Sequence, residues 1–249
     1  MLLFAHGYKA NSHWWDFIAP YFVDHYRVIA MDFSGMGESG FRPQYSAEAF
    51  TADLIAILDS GLGPATVVGH SYGGLRTLLA CAERPDLIRH AIILDSRVRF
   101  LDVDSSADTA PPPPRSGSAQ PYFSYEAIRQ RYRVIPDQPL PIRDTFEHIA
   151  FHSIEKCVGG WRWRADPALP YVVSEPDGDA LLERIEVPVD YVYGEESCVV
   201  EPWRAERIAS RLRHCHGAIG IPQSHHHLML DQPLTLVSVL RTLLASRAT

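Results

Sequence analysis

The chain has 249 residues, 46% of them hydrophobic, and a formal net charge of −7. That is enough to bury one large core, or one core with an insertion. No run of Lys and Arg marks a nucleic-acid surface, and no apolar stretch is long enough to span a bilayer.

In chain order, short apolar runs alternate with helix-length amphipathic segments. Residues 2–6, 26–32, 65–70, 90–95, 189–194 and 216–222 read as strands, several of them apolar throughout, as strands covered on both faces are. Helices are expected over 14–21, 47–60, 74–83, 202–212 and 234–245. This alternation predicts an α/β fold with a mostly parallel, doubly wound sheet. It fails between about Arg97 and Glu186. That stretch opens with the Pro- and Ser-rich "DVDSSADTAPPPPRSGSAQP", expected to be irregular or mobile. It continues with helical pieces carrying Tyr122, Phe123, Tyr132, Phe146, Phe151, Trp161 and Trp163. The expected organisation is a core of residues 1–96 and 187–249 with a cap inserted over 97–186, because open parallel sheets bind ligands at the carboxyl ends of their strands.

Cys81, Cys157, Cys198 and Cys215 form no CxxC pair, which predicts a reduced, disulfide-free protein. The first residues carry neither a charged region nor a signal cleavage site, so a cytoplasmic location is expected.

The segment "VVGHSYGGLRTLLACAERP" runs a β-branched strand into Gly69-His70-Ser71-Tyr72-Gly73 and then into a helix. G-x-S-x-G between strand and helix holds a serine on a sharp turn with its Oγ exposed. The residues two positions away must be small, and Gly69 and Gly73 are. The helix N-terminus aims unpaired N–H groups outward, so the N–H of Tyr72 can face a developing oxyanion.

With these residues the chain resembles the α/β-hydrolase family outside the proposed cap. "FAHGYKANSHWW" resembles its oxyanion loop, "DFSGMGES" its D-x-x-G-x-G-x-S turn, "GHSYGG" its nucleophile elbow, and "IPQSHHHLMLDQP" its catalytic-histidine segment. The resemblance implies that Tyr8 gives a second oxyanion N–H and that His6 holds the loop. It implies that His226, five residues before Asp231 of the D-x-P, is the general base. It also implies two further strands ahead of residues 1–6. Without them a sheet edge is exposed and open to pairing with a second copy of the chain.

The family's usual acid follows a late strand as G-x-x-D, and here that position is Ser197. The preferred acid is Asp95, at the end of the strand after the nucleophile's helix, where some family members carry it. Glu196, Glu195 and Glu201 stay open as alternatives. His225, His226 and His227 are consecutive, and in an extended loop such neighbours diverge, with His226 facing away from the other two. Typical zinc ligands are spaced more widely, so no metal is expected, and no cofactor.

The expected function is a serine hydrolase cleaving carboxylic esters of small or medium apolar substrates through an acyl-enzyme. Tyr8, Trp14, Trp15 and Tyr72 are the candidate pocket wall. The alternatives are thioester, lactone, amide or C–C hydrolysis, acyl transfer, or a hydrolase-like binding protein without catalysis, which the missing acid at Ser197 favours.

Overall fold

A computed structural model describes residues 1–61, 63–104, 120–170 and 176–247. Most of the Pro-rich stretch read as irregular lies outside the described residues. The elements in chain order are β1 (Leu2–Ala5), β2 (Val28–Met31), α1 (Ala47–Asp59), β3 (Ala65–His70), α2 (Tyr72–Glu83) and β4 (Ile88–Leu94). The inserted segment follows with α3 (Tyr125–Arg129), α4 (Arg143–His152), β5 (Ile154–Cys157), β6 (Gly160–Trp163) and α5 (Gly178–Leu182). The chain then returns through β7 (Val189–Gly194), α6 (Pro202–Arg211), β8 (Ala218–Ile221), α7 (Leu228–Asp231) and α8 (Pro233–Ser246).

Six strands pair in the order β2-β1-β3-β4-β7-β8, all parallel. β1, β3 and β7 are buried along their whole length, whereas the edge strands β2 and β8 are only partly so. Alternation sorts the strand side chains into two layers. Leu3, Val67, Ile93 and Tyr191 face a core with Phe50, Leu54 and Leu58 of α1 and with Ala205 and Ile208 of α6. Phe4, Val68, Ile92 and Val192 face the other core, with Trp15, Phe22 and the apolar stripe of α8. The sheet is therefore wound on both faces, as the apolar runs imply.

The helix expected over 14–21 is instead two 3₁₀ turns, Ser12–Trp15 and Ala19–Phe22. Pro20 supplies no N–H for an intervening helical turn, and Asn11 caps the first turn by accepting the N–H of His13. The chain passes from β1 to β2 on one side of the sheet and returns as β3 on the other. This reversal puts a crevice outside the carboxyl ends of β1 and β3, where open α/β sheets bind ligands.

The inserted segment is tied into the core at several points. Asp166 donates its N–H to Gly35 O (2.8 Å) and accepts the hydroxyl of Tyr45 (2.6 Å). Asn11 donates to Ser153 Oγ (3.0 Å). On the opposite face, Leu181 and Leu182 of α5 are buried in the core shared with α2 and α6. Before the undescribed residues, Asp104 is buried and takes both terminal nitrogens of Arg204 from α6, each at 2.8 Å. Arg97 and the N–H of Phe100 complete its shell.

A bidentate pair this deeply buried is costly to break from one side only, because the other charge stays desolvated. Arg204→Ala is expected to lower unfolding free energy by about 3–5 kcal/mol in urea titration at neutral pH. The replacement of both partners, Asp104→Leu with Arg204→Met, is expected to cost much less. Equal losses in the two variants would contradict this account.

Candidate active site

Ser71 joins β3 directly to α2 and has φ 51° and ψ −119°. A side chain other than glycine is strained there, and the strain lifts Ser71 out of the line of both elements. The elbow is held by Ser71 N–H on Leu94 O (2.9 Å) and by Ser96 Oγ–H on Ser71 O (2.7 Å). Crowding explains the flanking glycines. A Cβ on Gly69 would lie 2.6 Å from Thr77 Oγ1, and one on Gly73 would lie 2.5 Å from the carbonyl of His6. Ser71 itself remains partly accessible.

His226 follows β8 and is buried. Its Nε2 lies 2.9 Å from Ser71 Oγ and its Nδ1 lies 2.8 Å from Asp95 Oδ1. An ionised carboxylate only accepts, so Nδ1 carries the proton and Nε2 is left as the acceptor for the serine hydroxyl. Asp95 ends β4 with φ 45° and has no exposed surface. Its second oxygen accepts the N–H of Gly194 at 2.8 Å. Ser197 donates its hydroxyl to Asp95 Oδ1 at 2.7 Å and accepts the N–H groups of Val199 and Val200. The residue at the family's usual acid position thus donates to the same carboxylate oxygen that faces His226 Nδ1.

The other carboxylates are elsewhere. Glu196 reaches His225, not His226, with 3.4 Å between Oε2 and Nε2. Glu201 stands at the N-cap position of α6, and its side chain accepts from Arg204. Glu195 lies against Gly220 of β8.

Gly7 lies against the elbow, a Cβ built on it falling 3.3 Å from Ser71 Cβ. The loop that carries it is fixed by His6, whose Nδ1–H donates to Gly7 O (2.7 Å) while Nε2 accepts the N–H of Phe33 (3.2 Å). Tyr8 and Tyr72 meet ring edge to ring face, 5.8 Å between centroids. The hydroxyl of Tyr8 donates to Leu169 O and Pro170 O, joining this loop to the inserted segment. Trp15, read as pocket wall, is instead core: it is 1% exposed and packs on Phe4 at 4.9 Å. Trp14 is also buried and packs on His227.

The three consecutive histidines do not alternate as an extended loop would. The chain turns into α7 at His227, which brings its ring to 4.8 Å from that of His226, with His70 close to both. His225 is the one that turns away, toward Asp231 and Glu196. His70 donates its Nε2–H to His226 O (2.9 Å), and His227 donates to Pro136 O (3.2 Å). Gln138 accepts the N–H of His227 at 2.8 Å. Asp231 accepts from Ser224 Oγ and His225 N–H, which closes the loop from within, and burial raises its pKa. The positioning roles of Ser197, His70 and Gln138 carry no motif; only the fold discloses them.

Burial holds His6, His70 and His227 below the usual histidine value of 6.5, and for His70 and His227 the neighbouring His226 adds to the effect. These groups bind protons more readily in the unfolded chain, so they stabilise the fold fully above about pH 6.5 and less as pH falls below it. Each contributes a slope of at most about 1.4 kcal/mol per pH unit. Urea midpoints are expected to fall steeply from about pH 7 to about pH 5, and the slope is expected to flatten in His227→Gln. Stability that is level across that range would contradict the buried, neutral state of the three rings.

The sequence profile of the Alpha/beta hydrolase family matches residues 2–239. Among individual proteins, the chain is 24% identical to the protein named Esterase Rv0045c of Mycobacterium tuberculosis, over 99% of this chain and 83% of that one. The crystal structure of that esterase superposes with a TM-score of 0.79, covering 98% and 83% of the two chains. The chain is 26% identical to the Karrikin insensitive 2 receptor CA of Petunia hybrida, over 80% of this chain and 74% of the relative. It is 27% identical to the pimeloyl-[acyl-carrier protein] methyl ester esterase of Neisseria meningitidis serogroup A, over 84% and 65%. With the profile spanning almost its whole length and its sheet, elbow and crossovers following the same plan, this chain belongs to the alpha/beta hydrolase family.

Proposed function

We propose that this protein hydrolyses carboxylic esters of small or medium apolar substrates, with Ser71 as nucleophile, His226 as general base and Asp95 as the acid. The observation that carries the proposal is the unbroken hydrogen-bonded line from Ser71 Oγ through His226 to Asp95, on a strained and partly accessible serine. Two relatives named as esterases support it.

Ser71 Oγ attacks the ester carbonyl as His226 Nε2 takes its proton. Asp95 keeps His226 in the required tautomer and stabilises the imidazolium that forms. The carbonyl oxygen, now anionic, is held by the N–H groups of Tyr8 and Tyr72, two donors each worth about 3 kcal/mol of barrier. His226 then protonates the leaving alkoxide. Water repeats the sequence on the acyl-enzyme and restores Ser71. Residues 97–186 act as the cap, entering the site through Gln138 on the His227 backbone and through the carbonyls that anchor Tyr8. No described helix is long and apolar enough to cross a membrane. Four free thiols favour a reducing compartment such as the cytoplasm. The partly exposed edge strand β2 is the place for a second copy to pair, if the chain dimerises.

A relative named as a receptor favours a second reading, in which the site binds its ligand without repeated turnover. A panel of p-nitrophenyl acyl esters separates the two. Many turnovers per chain are expected for wild type, and a loss of more than about 10⁴-fold in kcat for Ser71→Ala. Labelling by a fluorophosphonate with no turnover on any ester would favour the receptor reading.

The acid assignment has its own test. Asp95→Asn is expected to lower kcat by about 10³–10⁴-fold with the fold intact by circular dichroism. Ser197→Ala removes one of three donors to that carboxylate and is expected to cost about 10- to 100-fold. Since Ser197 Oγ lies 2.7 Å from Asp95 Oδ1, the double variant Asp95→Ala with Ser197→Asp is expected to recover at least about tenfold over Asp95→Ala. Near wild-type activity in Asp95→Asn, with collapse in Glu196→Gln, would reverse the assignment.

A further inference from the structure

His13 lies within the 3₁₀ turn Ser12–Trp15, and Asp16 stands at its C-terminal cap. His148 and His152 are one helical turn apart on α4 of the inserted segment, so they project from the same face. The fold sets these pairs against each other. Asp16 Oδ2 accepts from His13 Nδ1 at 2.8 Å and from His148 Nε2 at 2.7 Å. The ring of His152 stacks on that of His13 at 3.6 Å and lies 4.5 Å from that of His148. One ligand atom from each of the four residues lies within 4.8 Å of every other.

We propose that His13, Asp16, His148 and His152 form a binding site for one divalent transition ion of the zinc class, which latches the inserted segment to the core. Three imidazoles and one carboxylate are a donor set suited to zinc, and two histidines four apart on a helix are a common half of such a site. Tetrahedral coordination with bonds of about 2.0–2.1 Å puts ligand atoms about 3.3 Å apart. From 4.8 Å the closure needed is about 1.5 Å at most, within the reach of side-chain rotation. Outer contacts already orient the rings. Phe17 packs edge-on against His148, Phe151 against His152, and Asn11 donates to His152 O. His13, Asp16 and His148 each keep about a third of their side-chain surface in solvent, at 30%, 41% and 35%, which gives an ion its way in.

The site is distinct from the cluster of His70, His226 and His227, whose Nε2 on His226 faces Ser71. An ion there would block the nucleophile's base, whereas an ion at His13 would join two parts of the fold.

The test uses untagged protein stripped with chelator and titrated with Zn²⁺ by calorimetry, and with Co²⁺ by visible absorption. Wild type is expected to bind one ion per chain at micromolar or tighter affinity and to show the absorption of four-coordinate cobalt. Its Tm is expected to rise by about 5–10 °C at a hundredfold saturation. His148→Gln keeps a neutral donor for Asp16 but removes a ligand. This variant and His13→Ala are each expected to weaken binding by more than about 100-fold and to abolish the Tm rise, with metal-free ester turnover unchanged. His214→Ala, at an exposed residue elsewhere, is the control and is expected to bind as wild type. Two outcomes overturn the proposal: no binding tighter than millimolar in wild type, or binding that persists in both variants, which would put the ion at the other histidines.

Discussion

A carboxylate with no exposed surface has to find all its partners inside the protein, and Asp95 finds one on each of three elements. Gly194 N–H comes from the end of β7, Ser197 from the loop beyond it, and His226 from the segment after β8. Its own position at φ 45° turns the side chain out of the end of β4 toward all three. The neighbouring Ser96 hydroxyl holds the carbonyl of Ser71. Four strand ends are therefore held in register around one buried charge. The serine, the base and the loop that joins them take their places from it.

The family's usual acid position shows how such a site tolerates rearrangement. An imidazole needs a carboxylate at its Nδ1, and it is indifferent to which strand supplies it. Here the carboxylate comes from β4, and the vacated position carries a hydroxyl. A hydroxyl can donate to the carboxylate and still accept from Val199 and Val200, which an aspartate there could not do. A second carboxylate at that distance would add like-charge repulsion in a buried site. Under the proposed assignment, Ser197 gives the carboxylate on β4 a donor without adding a second charge.

The sheet was legible in the sequence because strands buried on both faces are mostly apolar: β1 is so throughout, and β3 and β7 are apart from Thr66, His70 and Asp190. Gly69 and Gly73 were legible for a related reason, since the close approach of β3 and α2 leaves no room for a side chain. The line of Ser71, His226 and Asp95 is brought together by the ends of β3, β4 and β8; motif and register pointed to Ser71 and His226, whereas the acid's usual register falls on Ser197 and left Asp95 as a preference beside Glu196, Glu195 and Glu201. What the sequence hid depends on turns and on distance. The histidine loop bends into α7 at His227, so the alternation argued for an extended chain places the wrong ring outward. The 3₁₀ turns after β1 replace a helix because Pro20 interrupts the hydrogen bonding. The pairing of His13 and Asp16 with His148 and His152 joins residues more than 130 positions apart, which no local pattern encodes.

The central claim is that chemistry passes through a covalent ester on Ser71, and rapid-quench peptide mass spectrometry with a p-nitrophenyl acyl ester tests it most directly. The account predicts an acyl mass increment on the peptide that contains Ser71, forming within one turnover and decaying at the rate of steady-state product release. Full turnover with no adduct at any time, or an adduct on another residue that forms and decays at the turnover rate, would contradict it.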